Sequence, residues 1–425
     1  MLNNQRSKGY EWKIVTLLAL LHGTVGLDRL VIVYLFPILI PEFGLNNTQA
    51  GTLTAVLAMT WAVSALVMGS LSDRIGRKKI LLPSAIFFSV MSWVTGVAKT
   101  YGGLLVIRAL MGIGEGGVFS TSVATIAEES TPKKRGLNLG IHQSFFPGVG
   151  IGLGAIIATQ LATKFGWRPV FFIVGIPGLV LAIIIAIVMK EPLSFFRKAE
   201  KNSSQEIEIE HSETKTGLFA ALKYRNVWVS TLVSCLFMNW LFVFAAFAAL
   251  FLTQVRGLSL PTAGVVLSAW GFGGFIGMIG IGAISDYLGR RPVMIVSSVI
   301  TGISVIWFAV AGSNPVTLFC ILFVGAIFGW GTYPIFLSLT TTESVPAKLA
   351  GSSVGIPTSI GEIFGAMVMP IIAGSLADKF GLIYPMYLAG IAPIIAAVVS
   401  FLYIETAPRV LHRKNQKIEP NEVTA

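Results

Sequence analysis

The stretch Gly69-Ser70-Leu71-Ser72-Asp73-Arg74-Ile75-Gly76-Arg77-Lys78 returns 213 residues later as Gly282-Ala283-Ile284-Ser285-Asp286-Tyr287-Leu288-Gly289-Arg290-Arg291. Three further echoes keep that offset within two residues. Gly44-Leu45 with Ala50-Gly51 matches Gly257-Leu258 with Ala263-Gly264; Glu129-Ser130 with Pro132 matches Glu343-Ser344 with Pro346; Lys164-Phe165-Gly166 matches Lys379-Phe380-Gly381. Matches in the same order at equivalent loops make the chain two copies of one plan.

Each copy is a set of membrane spans. Of 425 residues, 54% are hydrophobic and only 12% charged, with mean hydropathy +0.78, outside the range of a soluble domain. Membrane strands would give alternating segments of roughly 10 residues. Here uninterrupted apolar runs reach the ~20 residues that a helix needs to cross the hydrocarbon. The runs fall near 14–40, 50–71, 80–98, 101–128, 136–163, 167–189, 226–254, 261–284, 291–311, 316–341, 349–376 and 382–404. The expected architecture is an all-α membrane protein with 12 transmembrane helices in two pseudo-symmetric six-helix bundles. One bundle takes 1–190 and the other 226–405, with a cytoplasmic linker over 191–225 and a cytoplasmic tail over 406–425. The first run is too long for a cleaved signal, and no small-residue cleavage pattern follows it. The charged linker, with its Glu/Ile alternation after Glu206, reads as a solvated connection without chemistry.

A net charge of +11 raises the question of nucleic acid, and the distribution of the charge answers it. Arg29 and Arg108 lie inside spans, and Lys99, Lys164, Arg168, Arg256 and Lys379 fall in one set of loops. Every other Lys and Arg lies in the termini, the linker or the opposite loops. This asymmetry puts both termini in the cytoplasm of an integral, multi-pass plasma-membrane protein with the lipid bilayer as its partner, and no nucleic acid. The two cysteines, Cys235 and Cys320, lie inside spans and support neither a disulfide framework nor a thiolate metal site. Gly112-Ile113-Gly114-Glu115-Gly116-Gly117 has the look of a phosphate loop, but no strand precedes it. No cofactor and no metal are expected.

Two six-span halves, a long central loop and the Gly-x-Leu-x-Asp-Arg-x-Gly-Arg-Lys loop present twice resemble the major facilitator superfamily of secondary transporters. The resemblance implies alternating access by rocking of the halves about a central site. Asp73 can accept a bond from Arg77 and also face the positive end of a neighbouring helix. In the family that neighbour is span 11 of the other half, met only when the cytoplasmic side is closed, so Asp73 and Arg77 are expected to gate, with Asp286 and Arg290 as the weaker counterpart. Small-residue stripes are expected to let helices cross closely: Gly148, Gly150, Gly152 and Gly154 in span 5, Gly273 and Gly277 in span 8, Gly351, Gly355, Gly361 and Gly365 in span 11. In the family these spans meet across the halves.

Charges inside the spans cost roughly 2.5 to 3.5 kcal/mol each on insertion scales, so they mark pathways or relays. They are Asp28 and Arg29 in span 1, Arg108 and Glu115 in span 4, and Glu362 in span 11. Counted from their span ends, Asp28 and Glu115 both lie near the midplane. Adjacent helical positions point about 100° apart, so Asp28 and Arg29 must look to other helices. The expected arrangement sets Arg29 against Glu115, with Asp28 toward Arg108 or water. An anion on Arg29 would withdraw that residue's support from a carboxylate charge and favour proton uptake. Asp28, Glu115 and Glu362 are thus the candidate proton carriers, Arg29 and Arg108 the candidate anion ligands. At the 213-residue offset, Leu241 and Phe242 stand opposite Asp28 and Arg29, and the second half offers Asn239, Trp240, Trp330 and Tyr333 for the body of a substrate. Gln143, His142 and His22 are further polar candidates.

Within the superfamily, Arg108 through Gly117, Asp28-Arg29 and Gly166-Trp167-Arg168 resemble the organic anion-cation symporter branch. That likeness implies uptake of a small organic anion, such as a sugar acid or an aromatic or aliphatic carboxylate, with protons or sodium; a monomer is expected. There the span 1 Arg and span 4 Glu serve substrate and proton. The Asp-Arg and Gly-x-Gly-Glu pattern is also similar to the spinster-like branch, which leaves export of a lysolipid or other amphiphile as the alternative. A membrane enzyme or receptor has little support, since no His/Asp metal cluster, Ser-His arrangement or sizeable soluble domain is present.

Overall fold

Pro37 interrupts the first apolar run. It has no N–H to donate back along a helix and its ring obstructs the preceding turn. The first span therefore stops at Tyr34, and a separate short helix, Phe36–Phe43, follows. The computed structural model describes residues 8–131, 134–192, 218–346 and 349–411. Among these it holds 12 helices long and apolar enough to span a membrane. In the first half they are α1 (Gly9–Tyr34), α2 (Asn47–Ile75), α3 (Arg77–Gly96), α4 (Tyr101–Glu129), α5 (Arg135–Phe165) and α6 (Trp167–Val188). In the second they are α7 (Arg225–Val255), α8 (Leu260–Leu288), α9 (Arg290–Val310), α10 (Pro315–Thr342), α11 (Ala350–Phe380) and α12 (Ile383–Ser400). They form two pseudo-symmetric six-helix bundles. Most of the linker and the end of the tail, including the Glu/Ile run, lie outside the described residues.

Helix ends follow local chemistry. Asn46 and Gln49 form a reciprocal cap on α2: Asn46 accepts from the Gln49 N–H at 2.8 Å and Gln49 accepts from the Asn46 N–H at 3.0 Å. Gly76 and Gly289 close α2 and α8 with φ of +112° and +105°, a region that disfavours other residues. They also leave room for two carboxylates that begin the next helices. Glu191 accepts from the Arg77 and Lys78 N–H groups, and Glu405 from those of Arg290 at 2.8 Å and Arg291 at 3.1 Å. Anionic caps at a helix start offset its exposed donors and its positive end.

Arg77 then pairs with Asp73 and, at 2.7 Å, with Glu128, and donates to Ser72 at 2.5 Å. Arg290 repeats the pattern with Asp286 at 2.6 Å, Glu343 at 2.8 Å and Ser285 at 2.5 Å. The repeated loop thus brackets four elements within each half. By sequence Glu129 is the counterpart of Glu343, but Glu128 is the one that reaches Arg77.

The halves meet unevenly. We call the face holding Arg77 and Arg290 the basic face. At the opposite face the Asp378 carboxylate, from the end of α11, accepts from the backbone and side chain of Asn47 at 2.8 and 2.9 Å. It also accepts from the backbone and hydroxyl of Thr48 at 3.0 and 2.6 Å, so it caps the start of α2 across the halves. Small residues let the backbones touch there: a Cβ on Gly51 would lie 2.2 Å from the Pro370 carbonyl oxygen, and one on Gly271 2.0 Å from the Gly152 nitrogen. Toward the basic face, Cβ atoms on Gly136, Gly140, Gly280, Gly282, Gly351 and Gly355 would meet nothing within 4 Å. The helices close at one face and part at the other.

The glycine stripes divide accordingly. Gly148 and Gly152 face Phe275 and Phe272 of the other half, as the family resemblance implies. Gly150 and Gly154 instead lie on α1, Gly273 and Gly277 on α10, and Gly361 and Gly365 on α7, all within their own half. Helix rotation decides which glycine faces which neighbour, and spacing alone does not reveal it. In this conformation, among the described residues, α2 packs on α11 chiefly from Glu362 onward.

In a background with Cys235→Ala and Cys320→Ala, the pair Thr48→Cys and Asp378→Cys is expected to form a disulfide under mild oxidation. A cysteine at Gly355 should then remain reactive to a polar thiol reagent, whereas protection of that site would contradict the one-sided opening.

Candidate functional site

Between the halves, a cavity of about 480 Å³ opens toward the basic face. Its mouth is framed by Gly136 and Gly140 of α5, Thr342 of α10 and Thr358 of α11. Arg29 and Glu362 supply charge to its lining, and Trp61, Phe119, Phe146, Phe242, Trp330 and Tyr333 supply aromatic walls.

Arg29 reaches this cavity because its Cα–Cβ vector is turned away from that of Asp28 by about 100°. Its guanidinium carbon lies 5.3 Å from the Trp61 ring centroid and 4.8 Å from that of Phe242. Two aromatic faces stabilise a cation with little water around it. Its acidic neighbour is Glu362, from the other half: Nη2 to Oε2 is 3.6 Å, and the side chains are 6% and 5% exposed. This corrects the expected pairing with Glu115. It also gives the second half a charge at the site.

Behind Arg29, Arg108 is buried in the first half. It donates from Nη2 to the Arg29 carbonyl at 2.8 Å and from Nε to that of Leu53 at 3.5 Å, tying α4 to α1 and α2. It does not line the cavity in this conformation. Asp28 and Glu115 are fully buried, do not line the cavity, and make no side-chain hydrogen bond among the described residues. Both lie within electrostatic reach of Arg108, and Glu115 also of Arg29. Glu115 is held there by tight packing: Gly114 and Gly116 on either side press α4 onto Ser84 and Phe88 of α3 and onto Trp61 of α2.

Of the remaining polar candidates, Gln143, Trp330 and Tyr333 line the cavity, while Asn239 is buried in α7 against Gly365. Trp240 meets Trp330 edge-on from behind, their centroids 6.1 Å apart and their planes at 68°. His22 lines the cavity and lies on His142, centroids 4.4 Å apart and planes at 13°.

Residues 18–365 match the Major Facilitator Superfamily. The chain belongs to that superfamily. It is 26% identical over 381 residues to a probable sulfoacetate transporter of Cupriavidus necator, covering 87% of each chain. It is 25% identical over 416 residues to the cis,cis-muconate transport protein of Acinetobacter baylyi, covering 95% of this chain and 97% of that one. Among solved structures, it superposes on an inward-facing, unoccupied bacterial homologue of the human lysosomal transporter Spinster with a TM-score of 0.75 at 20% identity, over 93% and 97% of the two chains. The protein is thus a multi-pass membrane transporter of this superfamily, not an enzyme.

The cavity residues that sequence reasoning missed are the aromatic partners of Arg29. Trp61 carried no signal, being one apolar residue among many on α2. Phe242 did carry one: the internal offset places it opposite Arg29, and across the pseudo-twofold axis the two positions touch. Asp378 was also legible, one residue ahead of the repeated Lys379-Phe380-Gly381, but it has no counterpart in the first half, where Thr163 stands before Lys164.

Arg108→Met should destabilise the protein by about 3 kcal/mol or more, since it strips two buried carbonyls and two buried carboxyls of their cation. Arg29→Met, whose head faces the cavity, should cost clearly less. Thermal unfolding in detergent measures both, and an equal loss would contradict the division between a structural and a ligand-facing arginine.

Proposed function

We propose that the protein carries a small organic anion into the cell together with a proton, by alternating access. The observation that carries the reading is Arg29: a cation between two aromatic rings, on a cavity whose other lining is largely apolar and aromatic, at the junction of the halves. A carboxylate or sulfonate bound there gains charge-assisted hydrogen bonds, while the aromatic walls cover its carbon frame. The relatives support the class, since both carry the names of small organic anions in their descriptions. The excess of Lys and Arg at the basic face supports placing that face, with both ends of the chain, in the cytoplasm of a plasma-membrane protein. The conformation described is then the one that opens inward.

In the cycle we envisage, an anion enters from outside and settles on Arg29. Its charge offsets the guanidinium, which favours proton uptake on Glu115 or Asp28, the buried carboxyls nearest the two arginines. The halves then rock, the Asp378 cap forms at the outer face, and anion and proton leave inward. On the return stroke the inner face closes, and Asp73 and Asp286, held by Arg77 and Arg290, come to face helix ends of the opposite half.

Purified protein in proteoliposomes tests this with radiolabelled sulfoacetate or cis,cis-muconate as probes. An inward proton gradient should drive accumulation, and a sodium gradient alone should not. Glu115→Gln or Asp28→Asn should cut gradient-driven accumulation at least tenfold while leaving exchange of preloaded anion. Unchanged accumulation in both variants would remove them as proton carriers. Thermal stabilisation by a lysolipid and by no anion would overturn the organic-anion reading in favour of amphiphile export.

A further inference from the structure

We infer that Glu362 is a tethered competitor for the substrate's acid group: in the basic-face-open conformation it holds Arg29 across the two halves, and an arriving or departing anion trades places with it. This rests on the reading of Arg29 as the anion ligand. Nothing in the repeat points to it, because Pro147 occupies the corresponding region of the first half and no acid stands there.

The geometry makes the contact both real and replaceable. At 3.6 Å, Arg29 and Glu362 attract as charges but are too far apart for a hydrogen bond. Arg29 Nη2 and Glu362 Oε2 are buried without a hydrogen-bond partner among the described residues. A free carboxylate or sulfonate on Arg29 can approach to bonding distance and engage two guanidinium N–H groups at once. The tethered carboxylate, fixed to α11, holds the site loosely enough to yield to such a ligand.

The backbone around Glu362 explains why its reach depends on the conformation. Glu362 opens a π-helical stretch, Glu362–Val368, inside an otherwise α-helical span. Such stretches re-aim side chains by adding a residue to a turn and recur at functional sites. On either side of Glu362, Gly361 and Gly365 let α11 rest on α7: added Cβ atoms would lie 2.1 Å from the Ser234 hydroxyl and 2.3 Å from Met238 Cβ. Glu362 therefore travels with the second half. Arg29 travels with the first, fastened through its own carbonyl to Arg108. Any rocking of the halves changes the distance between them.

Charge balance points the same way. Asp28, Glu115 and Glu362 face two arginines, and Arg108 is occupied with carbonyls. An anion added to Arg29 leaves Glu362 without a cation, so Glu362 must turn away toward the cavity water or take a proton. Either way the strap between the halves opens when substrate binds and re-forms when it leaves, which assists release to the cytoplasm.

The test compares the wild-type full chain with Glu362→Gln, Glu362→Asp and Arg29→Gln, by calorimetric titration with cis,cis-muconate and sulfoacetate in detergent and by transport in proteoliposomes. Glu362→Gln, which lacks the competing charge, is expected to bind the anion about tenfold more tightly, about 1.4 kcal/mol. It should lose net uptake turnover, because release is slowed. Glu362→Asp, too short to sit against Arg29, should shift in the same direction by a smaller factor, and it serves alone if Glu362→Gln does not fold. A gain in affinity is not what structural damage produces. If wild type binds through Arg29 but neither Glu362 variant binds more tightly, the tethered-competitor role is overturned and the anion reading stands. If wild type binds no organic anion, the reading beneath it falls as well.

Discussion

A guanidinium in the middle of a membrane protein, between Trp61 and Phe242, sets the terms for the rest of this structure. Such a group is expensive to bury and loses least when its partners are aromatic faces and acids. Here the aromatic faces come from both halves and the facing acid from the second. Arg29 thus belongs chemically to neither bundle alone. Behind it, Arg108 turns a second cation into scaffold by holding the Arg29 carbonyl, which fixes where the first can point.

The remainder of the fold keeps the two halves rigid and lets their contact change. Within each half, one loop gathers an Asp, an Arg and a Glu from successive helices, and a second Glu caps the helix that follows. The bonds of these networks, among the described residues, stay within each half. Away from Arg29 at the centre, the crossing contacts are of a different kind: glycine-mediated backbone approach and the Asp378 cap at one face, open glycines at the other. Contacts made by small residues and one carboxylate can be exchanged for similar ones on the opposite face without unfolding either bundle.

The span count, the two-half plan and the basic loops were legible because they depend on period, length and repetition. Pro37 could have been read as a break in the first span, since its missing N–H is a property of the residue alone. The identity of the intramembrane charges was also legible, and so was their approximate depth. Their pairing was not. Whether Arg29 meets Glu115 or Glu362 depends on the rotation of α1 by a fraction of a turn and on the conformation of the whole bundle. The same limit governs the glycines: Gly361 and Gly365 signal close packing, but only the rotation of α11 shows that α7 is the partner. Glu128 displaced its neighbour Glu129 as the partner of Arg77 for this reason too.

The central claim is that an anion on Arg29 changes the protonation of the buried acids around it. Proton uptake on binding measures that directly: calorimetric titration of the protein with cis,cis-muconate in buffers of different ionisation enthalpy yields the number of protons exchanged. The account predicts close to one proton taken up per anion bound near neutral pH, and none in Glu115→Gln combined with Asp28→Asn and Glu362→Gln. Anion binding through Arg29 with no buffer dependence in wild type would contradict it.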